Sequence, residues 1–263
     1  MNEPNIEGRS ARRPLQNVRQ AIERILPHQS ARRRLADAAD YWTDDTTAAW
    51  AANSHWRGGL DIEDWTRLGT EHLEMFRTFA KALGVAPNPK LMIEWGCGGG
   101  ANAVAFAPHV GRLLVADVSA PSVAETIRQV AAVCSTPVGG IEVDIASPAT
   151  AAAGLEDQCD LFLCVYVLEL VPSQQDAMEI IEIAERLLVS GGVALIQVKY
   201  HTTSRWTRGR RRNYHRNLAN MTTFGIDEFW TAATERGLTA KLVTLVPENA
   251  LDRRYAYLAL QKP

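Results

Sequence analysis

The sequence has little excess charge of either sign, since 28 lysines and arginines face 30 aspartates and glutamates and leave a net charge of −2. A protein that binds nucleic acid through bulk charge is usually basic, so this balance does not favour nucleic acid as a partner. The four cysteines form no CxxC pair, which indicates free thiols in a reducing cytoplasm rather than a disulfide framework.

Long apolar runs are absent as well. The longest, residues 161–171, is too short to span a bilayer and contains Glu169. The N-terminus is polar and lacks the apolar core of a signal peptide, so we expect a cytoplasmic protein. With 263 residues, 46% of them apolar, the chain can bury a sufficient core without a disulfide or a metal.

Composition changes along the chain and suggests three parts. Eight arginines lie within the first 34 residues, and six more lie between 205 and 216. Four of the seven tryptophans lie between 42 and 65. We therefore predict a basic arm at 1–40, helical or partly disordered, a helical aromatic-rich segment at 41–89, and a main domain at 90–263 with a basic insertion at 200–223. Within the arm, Pro14 could begin a helix that ends near Ile25.

From residue 90 onward, short apolar runs alternate with helical segments. The runs lie at 91–95, 113–118, 141–145, 161–167 and 193–198. Strands that are apolar on both faces and alternate with helices favour a parallel sheet covered on both sides. Two further β runs, 240–246 and 255–261, are close enough to form a hairpin. The pattern predicts an α/β fold with a doubly wound, mostly parallel seven-stranded sheet and an antiparallel C-terminal hairpin.

The first strand runs directly into a glycine-rich turn at Gly96 and then into a helix. Glycines let a backbone turn sharply and let a ligand approach it closely. The spacing fits a dinucleotide fingerprint, but Glu94 precedes the turn by two residues, and a carboxylate is a poor neighbour for a pyrophosphate. The Glu94 carboxylate would instead suit a ligand that carries a cation.

The pattern Glu94-x-Gly96-x-Gly98-x-Gly100 resembles the first motif of class I S-adenosylmethionine (SAM) methyltransferases. The resemblance continues through acids near the second and third strand ends, the fourth-strand segment 160–170 and the segment 187–196, so it covers residues 90–263. It implies a Rossmann-like methyltransferase fold, SAM as the cofactor, S-adenosylhomocysteine (SAH) as the product, and a lid before the first strand. The cofactor-binding residues that it implies are Glu94, Gly96, Cys97, Gly98, Gly100, Asp117, Val118, Asp144, Ile145, Val165 and Tyr166.

The proton acceptor is left open by the sequence. Many small-molecule members of the family carry a histidine after the glutamate of the fourth motif, where this chain has Leu170. The candidates are His201, at the end of the fifth strand, and Glu169 and Tyr166 in the fourth motif. His55 is a further candidate, and each of these residues could instead have a structural role. No Asp/His cluster suggests a metal, so we expect none.

Acceptor-binding candidates come from two segments. The tryptophan-rich stretch contributes Asn53, His55, Trp56 and Arg57, and the basic insertion contributes Tyr200, Arg205 and Trp206. Aromatic faces with polar tips suit a planar acceptor or a sugar ring, and basic groups suit an anionic one. The tryptophans could equally pack a lid onto the core, and the insertion could be a solvated loop.

The leading hypothesis is SAM-dependent O-methylation of a sugar, polysaccharide or other polyhydroxylated small molecule in a biosynthetic pathway. An N- or C-methyltransferase of a secondary metabolite is the nearest alternative. A nicotinamide-dependent oxidoreductase and a non-catalytic SAM-binding partner protein are alternatives of other classes. We expect a small-molecule or glycan acceptor, no membrane span, no nucleic acid, and possible homodimers. The segment 167–172 lacks the Asn/Asp-Pro-Pro-aromatic element of DNA amino-methyltransferases.

Overall fold

The computed structural model describes residues 28–43, 62–246 and 253–263. The predicted helix at 14–25 and most of the tryptophan-rich segment lie outside these residues. The helices are α1 (Ala31–Thr43), α2 (Ile62–Leu83), α3 (Ala101–Phe106), α4 (Ala120–Ala131), α5 (Gln174–Leu187), α6 (Tyr214–Asn217) and α7 (Ile226–Glu235). The strands are β1 (Leu91–Trp95), β2 (Arg112–Asp117), β3 (Val138–Glu142), β4 (Cys159–Cys164), β5 (Leu188–Lys199), β6 (Thr239–Leu245) and β7 (Tyr255–Gln261).

The seven strands form a single sheet in the order β3-β2-β1-β4-β5-β7-β6. The first five strands pair in parallel, and β7 runs antiparallel to both β5 and β6. This arrangement confirms the predicted fold class, including the C-terminal hairpin. The chain moves outward from β1 to β3 and then returns to β4, so the direction of winding reverses between β1 and β4. In open α/β sheets, ligands bind beyond the carboxyl ends of the strands at such a reversal.

The core lies on both faces of the sheet, as the apolar runs predict. Successive residues of β1 point to opposite sides, so Met92 packs with α2 and α4 whereas Ile93 packs with α5 and α7. Both side chains are fully buried. Burial of both faces explains why these strands read as continuous apolar runs rather than as alternating patterns.

The third strand differs from the prediction. It is Val138–Glu142 rather than 141–145, and a 3-10 turn, Pro148–Ala152, follows it. Two glycines lower the strand propensity of this segment. One of them, Gly140, is required because α4 lies close to it. A Cβ atom at Gly140 would lie 2.4 Å from the Val123 side chain. Because glycine has a low strand propensity, the residue types of this segment do not predict a strand here.

The basic insertion is folded rather than a bare solvated loop. It contains two 3-10 turns, Arg205–Thr207 and Leu218–Asn220, with α6 between them. Tyr214 of α6 packs with Ala38, Tyr41 and Trp42 of α1. Helix α1 also runs across the boundary predicted at residue 40. Among the described residues, no helix is long and apolar enough to cross a membrane.

Candidate active site

A cavity opens at the carboxyl edge of the sheet, where β1, β2 and β4 end. It encloses about 1150 Å³ outside protein atoms, part of it open to solvent. One half is lined by the glycine-rich turn and strand ends, and the other by α1, α6 and the segment after β4. We call these the cofactor side and the cover side. Its place is the position expected for a ligand in this type of sheet.

The glycine-rich turn needs glycine for reasons of backbone geometry. Gly96, Gly98 and Gly100 have φ angles of 79°, 49° and 86°, which disfavour side chains. A Cβ atom at Gly96 would lie 2.3 Å from the Cγ2 atom of Val167. The Thr126 hydroxyl donates to the Gly98 carbonyl at 2.9 Å and anchors the turn. The three predicted glycines therefore let the backbone itself form the cavity wall.

Asp117 joins the end of β2 to this turn. Its Oδ2 atom accepts from the Gly98 amide at 2.9 Å, and its Oδ1 atom accepts from the Ser119 amide at 2.9 Å. Burial raises the pKa of this carboxyl group, and the amide donors act in the opposite direction. Since a carboxylate offers about four lone-pair positions, acceptor capacity remains for a diol in the cavity.

Glu94 is a buried carboxyl group with an unsatisfied oxygen. Its side chain is 2% exposed, and its Oε2 atom has no hydrogen-bond partner among the described residues. Burial raises its pKa to about 8, although hydrogen bonds from the Asn102 side chain and the Ala103 amide lower it. A buried carboxyl group of this kind is suited to a cationic ligand, which would stabilise its charged form.

Most of the other predicted cofactor residues line the same cavity, and Asp144 does not. Cys97, Val118, Ile145 and Val165 line it directly. Asp144 is exposed, two residues beyond β3, and its Oδ1 atom accepts from the Ala146 amide at 2.9 Å. This side of the cavity thus brings together residues from four separate strand ends.

The three predicted catalytic residues have different positions. Tyr166 lines the cavity with a φ angle of 58°, and its amide donates to Gln197 Oε1 at 2.6 Å. Glu169 is buried away from the cavity, and its Oε1 atom accepts from the Tyr255 hydroxyl at 2.9 Å. His201 also does not line the cavity, and its Nδ1 atom is 3.3 Å from Thr223 Oγ1. Of these three residues, the structure brings Tyr166 to the cavity.

The predicted acceptor-binding residues are not gathered in the described cavity. Asn53, His55, Trp56 and Arg57 lie outside the described residues. The predicted residues of the insertion, Tyr200, Arg205 and Trp206, do not line the cavity. The Trp206 ring is 50% exposed, with the Arg205 guanidinium 5.2 Å from its centroid. This aromatic-basic pair is therefore not part of the described cavity lining.

The cover side is made instead by α1 and α6. The Trp42 indole donates to the Tyr214 hydroxyl at 2.6 Å, and both side chains line the cavity. Arg34 fastens α1 to the segment after β4, since its Nε atom donates to the Pro172 carbonyl at 2.8 Å. Sequence analysis did not pair Trp42 with Tyr214 or Arg34 with Pro172, because the two members of each pair are more than 130 positions apart.

A buried polar chain behind Tyr166 was also missed. It contains His72 on α2, Asn102 on α3, Gln197 on β5 and Tyr257 on β7, all of them 7% exposed or less. One signal was available, since His72 occurs at helical spacing within the apolar stripe between Leu68 and Phe76. A histidine in such a stripe requires buried hydrogen-bond partners.

Within the described ranges, no group of three or more His, Cys, Asp or Glu residues could hold a metal ion. The described cysteines, Cys97, Cys134, Cys159 and Cys164, are free thiols. The titratable side chains that line the cavity are carboxyl groups, the Cys97 thiol and the phenols of Tyr166 and Tyr214.

Comparison with known proteins adds a family and a set of structural relatives. Residues 93–196 match the model of a methyltransferase domain family. No curated protein sequence matches the chain significantly. N-methyltransferase NodS from Bradyrhizobium japonicum WM9, crystallised with SAH, has a TM-score of 0.55 at 19% identity, covering 73% of this chain and 86% of that one.

Two other structures have similar folds. Magnesium protoporphyrin IX methyltransferase ChlM from Synechocystis PCC 6803, with bound SAH, has a TM-score of 0.62 at 14% identity, covering 87% of this chain and 99% of that one. A complex of the methyltransferase activator Trm112 with a methyltransferase from Haloferax volcanii has a TM-score of 0.52 at 16% identity, covering 77% and 98%. These findings show a methyltransferase domain at residues 93–196 and, for the chain, the fold of class I SAM-dependent methyltransferases, and they indicate SAM as the cofactor.

Proposed function

We propose that this protein methylates a hydroxyl group of a small polyhydroxylated or sugar-like acceptor. The observation that carries the proposal is one cavity with two unlike halves. The buried Glu94 carboxyl group and the glycine turn line one half of the cavity, the Trp42–Tyr214 pair lines the other, and Tyr166 lines the same cavity. Methyl transfer needs a cofactor and an acceptor held together with water excluded.

On the cofactor side, each group has a distinct task. Glu94 would pair with the ammonium group of SAM, and Asp117 would accept from the ribose hydroxyls while it holds the turn. Asp144 and Ile145, which follow β3, would hold the adenine ring. When bound, SAM supplies an electrophilic methyl group on a sulfonium. The Gly96–Gly100 backbone excludes water from this half because the turn packs against Val167 and Thr126.

On the cover side, apolar and aromatic groups bind the acceptor. Leu35 and Ala38 of α1 line the cavity beside Trp42, and Leu170 faces them from the segment after β4. An aromatic face packs well against the carbon face of a sugar ring or a planar ring. Tyr166 is placed to hydrogen-bond to an acceptor hydroxyl and to take part in removal of its proton. Helix α1 and α6 of the insertion then act as a lid over the cavity.

Calorimetry with SAH tests the cofactor half. Glu94→Gln should weaken SAH binding by about 100-fold, because a hydrogen bond to a charged group contributes about 1.5–3 kcal/mol. Glu71→Gln, on the exposed face of α2, is a matched control that should bind like the wild type. NADH binding in place of SAM or SAH would contradict the proposal.

The acceptor half requires an activity screen. SAH release is measured across methyl glycosides, phenols and matched amines, and the methylated product is identified by mass spectrometry. Methylation of a hydroxyl in the product supports the proposal, whereas exclusive methylation of nitrogen or carbon contradicts it.

N-methylation is a second candidate that one observation favours. Asp176 and Glu179 of α5 line the cavity, so a cationic amine could be held there. Burial raises the pKa of Glu179, and the neighbouring Asp176 and Glu182 raise it further. The related fold of the N-methyltransferase NodS makes this chemistry worth testing. Glu179→Gln should raise the KM of an amine acceptor several-fold and leave that of a neutral hydroxyl acceptor unchanged.

A further inference from the structure

We propose that Arg34 and Arg211 form an anion-binding site at the rim of the cavity, and that this site holds a carboxylate or phosphate group of the acceptor. The inference deepens the proposed function and rests on it, because the acid group would belong to the same sugar-like molecule whose hydroxyl is methylated. It gives the basic insertion a task that the lining of the cavity does not explain.

The two guanidinium groups are anchored on one short segment, which joins β4 to α5. Arg34 Nε donates to the Pro172 carbonyl at 2.8 Å. Two residues further along the chain, Gln174 Oε1 accepts from Arg211 Nη2 at 3.1 Å. The two arginines come from α1 and from the insertion, so the fold brings together charges from distant parts of the chain.

A second link between the two arginines is Gln29. Its carbonyl accepts from Arg34 Nη1, and its amide donates to the Arg211 carbonyl at 3.3 Å. The Gln29 side chain extends this link, since its Oε1 atom accepts from the Asn213 amide at 3.0 Å. The segment before α1 is thus fixed against the insertion, and the position of one arginine depends on that of the other.

Both guanidinium groups keep donors for a ligand. Among the described residues, Arg34 Nη2 and the Nε and Nη1 atoms of Arg211 have no hydrogen-bond partner. None of these three atoms is sealed from solvent, so an anion can approach them. Arg34 is nevertheless only 7% exposed, and Arg211 is half-buried. Partial shielding from water strengthens a hydrogen bond between a guanidinium group and an oxyanion.

The surroundings of the two arginines are positive. Residues 186–226 contain seven arginines and one lysine but no aspartate or glutamate. Burial lowers the pKa of Arg34 and the charge of Arg211 lowers it further, whereas Asp176 acts in the opposite direction. Burial also lowers the pKa of His28, and both arginines lower it further. A bound anion would relieve the repulsion between these like charges.

The position of the site relates it to the acceptor. Neither arginine lines the cavity, but Leu35, which follows Arg34, lines it, and so do Pro172 and Asp176. Asp176 is already occupied on one oxygen, since its Oδ2 atom accepts from the Ser173 hydroxyl at 2.7 Å. An acceptor whose ring lies in the cavity would therefore extend its acid group past Pro172 to the two guanidinium groups.

Phosphate binding tests the site without an acceptor. The full chain is saturated with SAH and titrated with inorganic phosphate, with chloride at equal ionic strength as the reference, and thermal unfolding is followed. Since a ligand that binds the folded state stabilises it, we expect phosphate to raise the Tm of the wild-type protein. Arg211→Gln should lose this rise. Arg208→Gln removes the same charge from an exposed position of the insertion and should keep it.

An equal rise in the wild-type and Arg211→Gln proteins would overturn the site, and so would the absence of a rise in the wild-type protein. This titration needs no turnover. Its failure is therefore distinguishable from failure of the proposed hydroxyl methylation, which the acceptor screen measures.

Kinetics with matched acceptors test whether the site serves methyl transfer. SAH release is compared for methyl glucoside, methyl glucuronide and glucose 6-phosphate, which share a ring and differ in the acid group. We expect kcat/KM for the better acid to exceed that for the neutral glycoside by about tenfold or more, as hydrogen bonds to a charged group provide. The larger of the two gains identifies carboxylate or phosphate as the group that is bound.

The arginine variants should reduce this preference for an acid. Arg211→Gln should lower the ratio of acid to neutral kcat/KM by about tenfold, and Arg208→Gln should retain the wild-type ratio. Arg34→Lys keeps the charge but lacks the planar fork, so it should lower the ratio several-fold and covers the case of an Arg211 variant that does not fold. A wild-type ratio in both Arg211→Gln and Arg34→Lys, or a wild-type preference for the neutral glycoside, would overturn the proposal.

Discussion

The two halves of the cavity are built in different ways. The cofactor side is made from one short stretch, 94–102, together with residues just beyond the neighbouring strands. The cover side joins α1 to an insertion that lies more than 150 residues later in the chain. The first is held by backbone geometry, and the second by side-chain contacts between distant segments. Backbone requirements can be predicted from neighbouring residues in the sequence, whereas contacts between distant segments cannot.

Gly96→Ala should give the largest effect on the cofactor side. The new methyl group would lie 2.3 Å from Val167, and the φ angle of 79° would add about 1–2 kcal/mol of backbone strain. We expect SAH binding to fall below detection in calorimetry. Gly154→Ala is the control, since Gly154 has a φ angle of 77° but no atom near its Cβ position. Equal loss of SAH binding in both variants would show that strain, not cavity shape, is responsible.

Titration of Glu94 tests the cofactor side, because this carboxyl group lines that half of the cavity. Its pKa in the folded protein is about 8, against 4.5 for an ordinary glutamate. Between these values the folded state keeps a proton that the unfolded state has lost, so the free energy of unfolding falls as pH rises. Above about pH 8 this contribution is constant. Thermal unfolding of Glu94→Gln should lack this slope.

The same group predicts proton release on binding. At pH 7 most Glu94 is protonated, and an ammonium group beside it favours the ionised form. SAH binding should therefore release up to one proton, measured by calorimetry in two buffers with different ionisation heats. The Glu71→Gln control should retain this proton release. If the wild-type protein releases no proton on binding SAH, Glu94 does not bind the ammonium group.

The smallest effect is expected on the cover side. Trp42→Phe removes the 2.6 Å hydrogen bond to Tyr214, which contributes about 1 kcal/mol. We expect the acceptor KM to rise about fivefold and SAH affinity to stay within twofold, measured by steady-state kinetics and calorimetry. Trp206→Phe, on the exposed ring of the insertion, should change neither. If SAH affinity falls as much as acceptor binding, the two halves are not separable.

Prediction from the sequence succeeded where burial and backbone conformation are local. The strand Leu91–Trp95 was predicted at its observed bounds, because its apolar run is followed directly by Gly96, whose φ angle is positive. Asp117 was predicted at the tip of β2 because an apolar run ends there. Prediction failed at β3, where Gly140 allows the close approach of α4 and Gly139 lies against Leu114 of β2, although glycine has a low strand propensity.

The amino-acid sequence by itself determined the alternation of strands and helices, the glycine turn and the acids at the strand ends, since each depends on neighbours within a few positions. Only the tertiary structure decided that Tyr166, rather than His201 or Glu169, reaches the cavity, and that Trp42 meets Tyr214 above it. It also joined His72 to Tyr257, which are 185 positions apart. A hydrogen bond across such a distance depends on the packing of whole elements, and no local pattern records it.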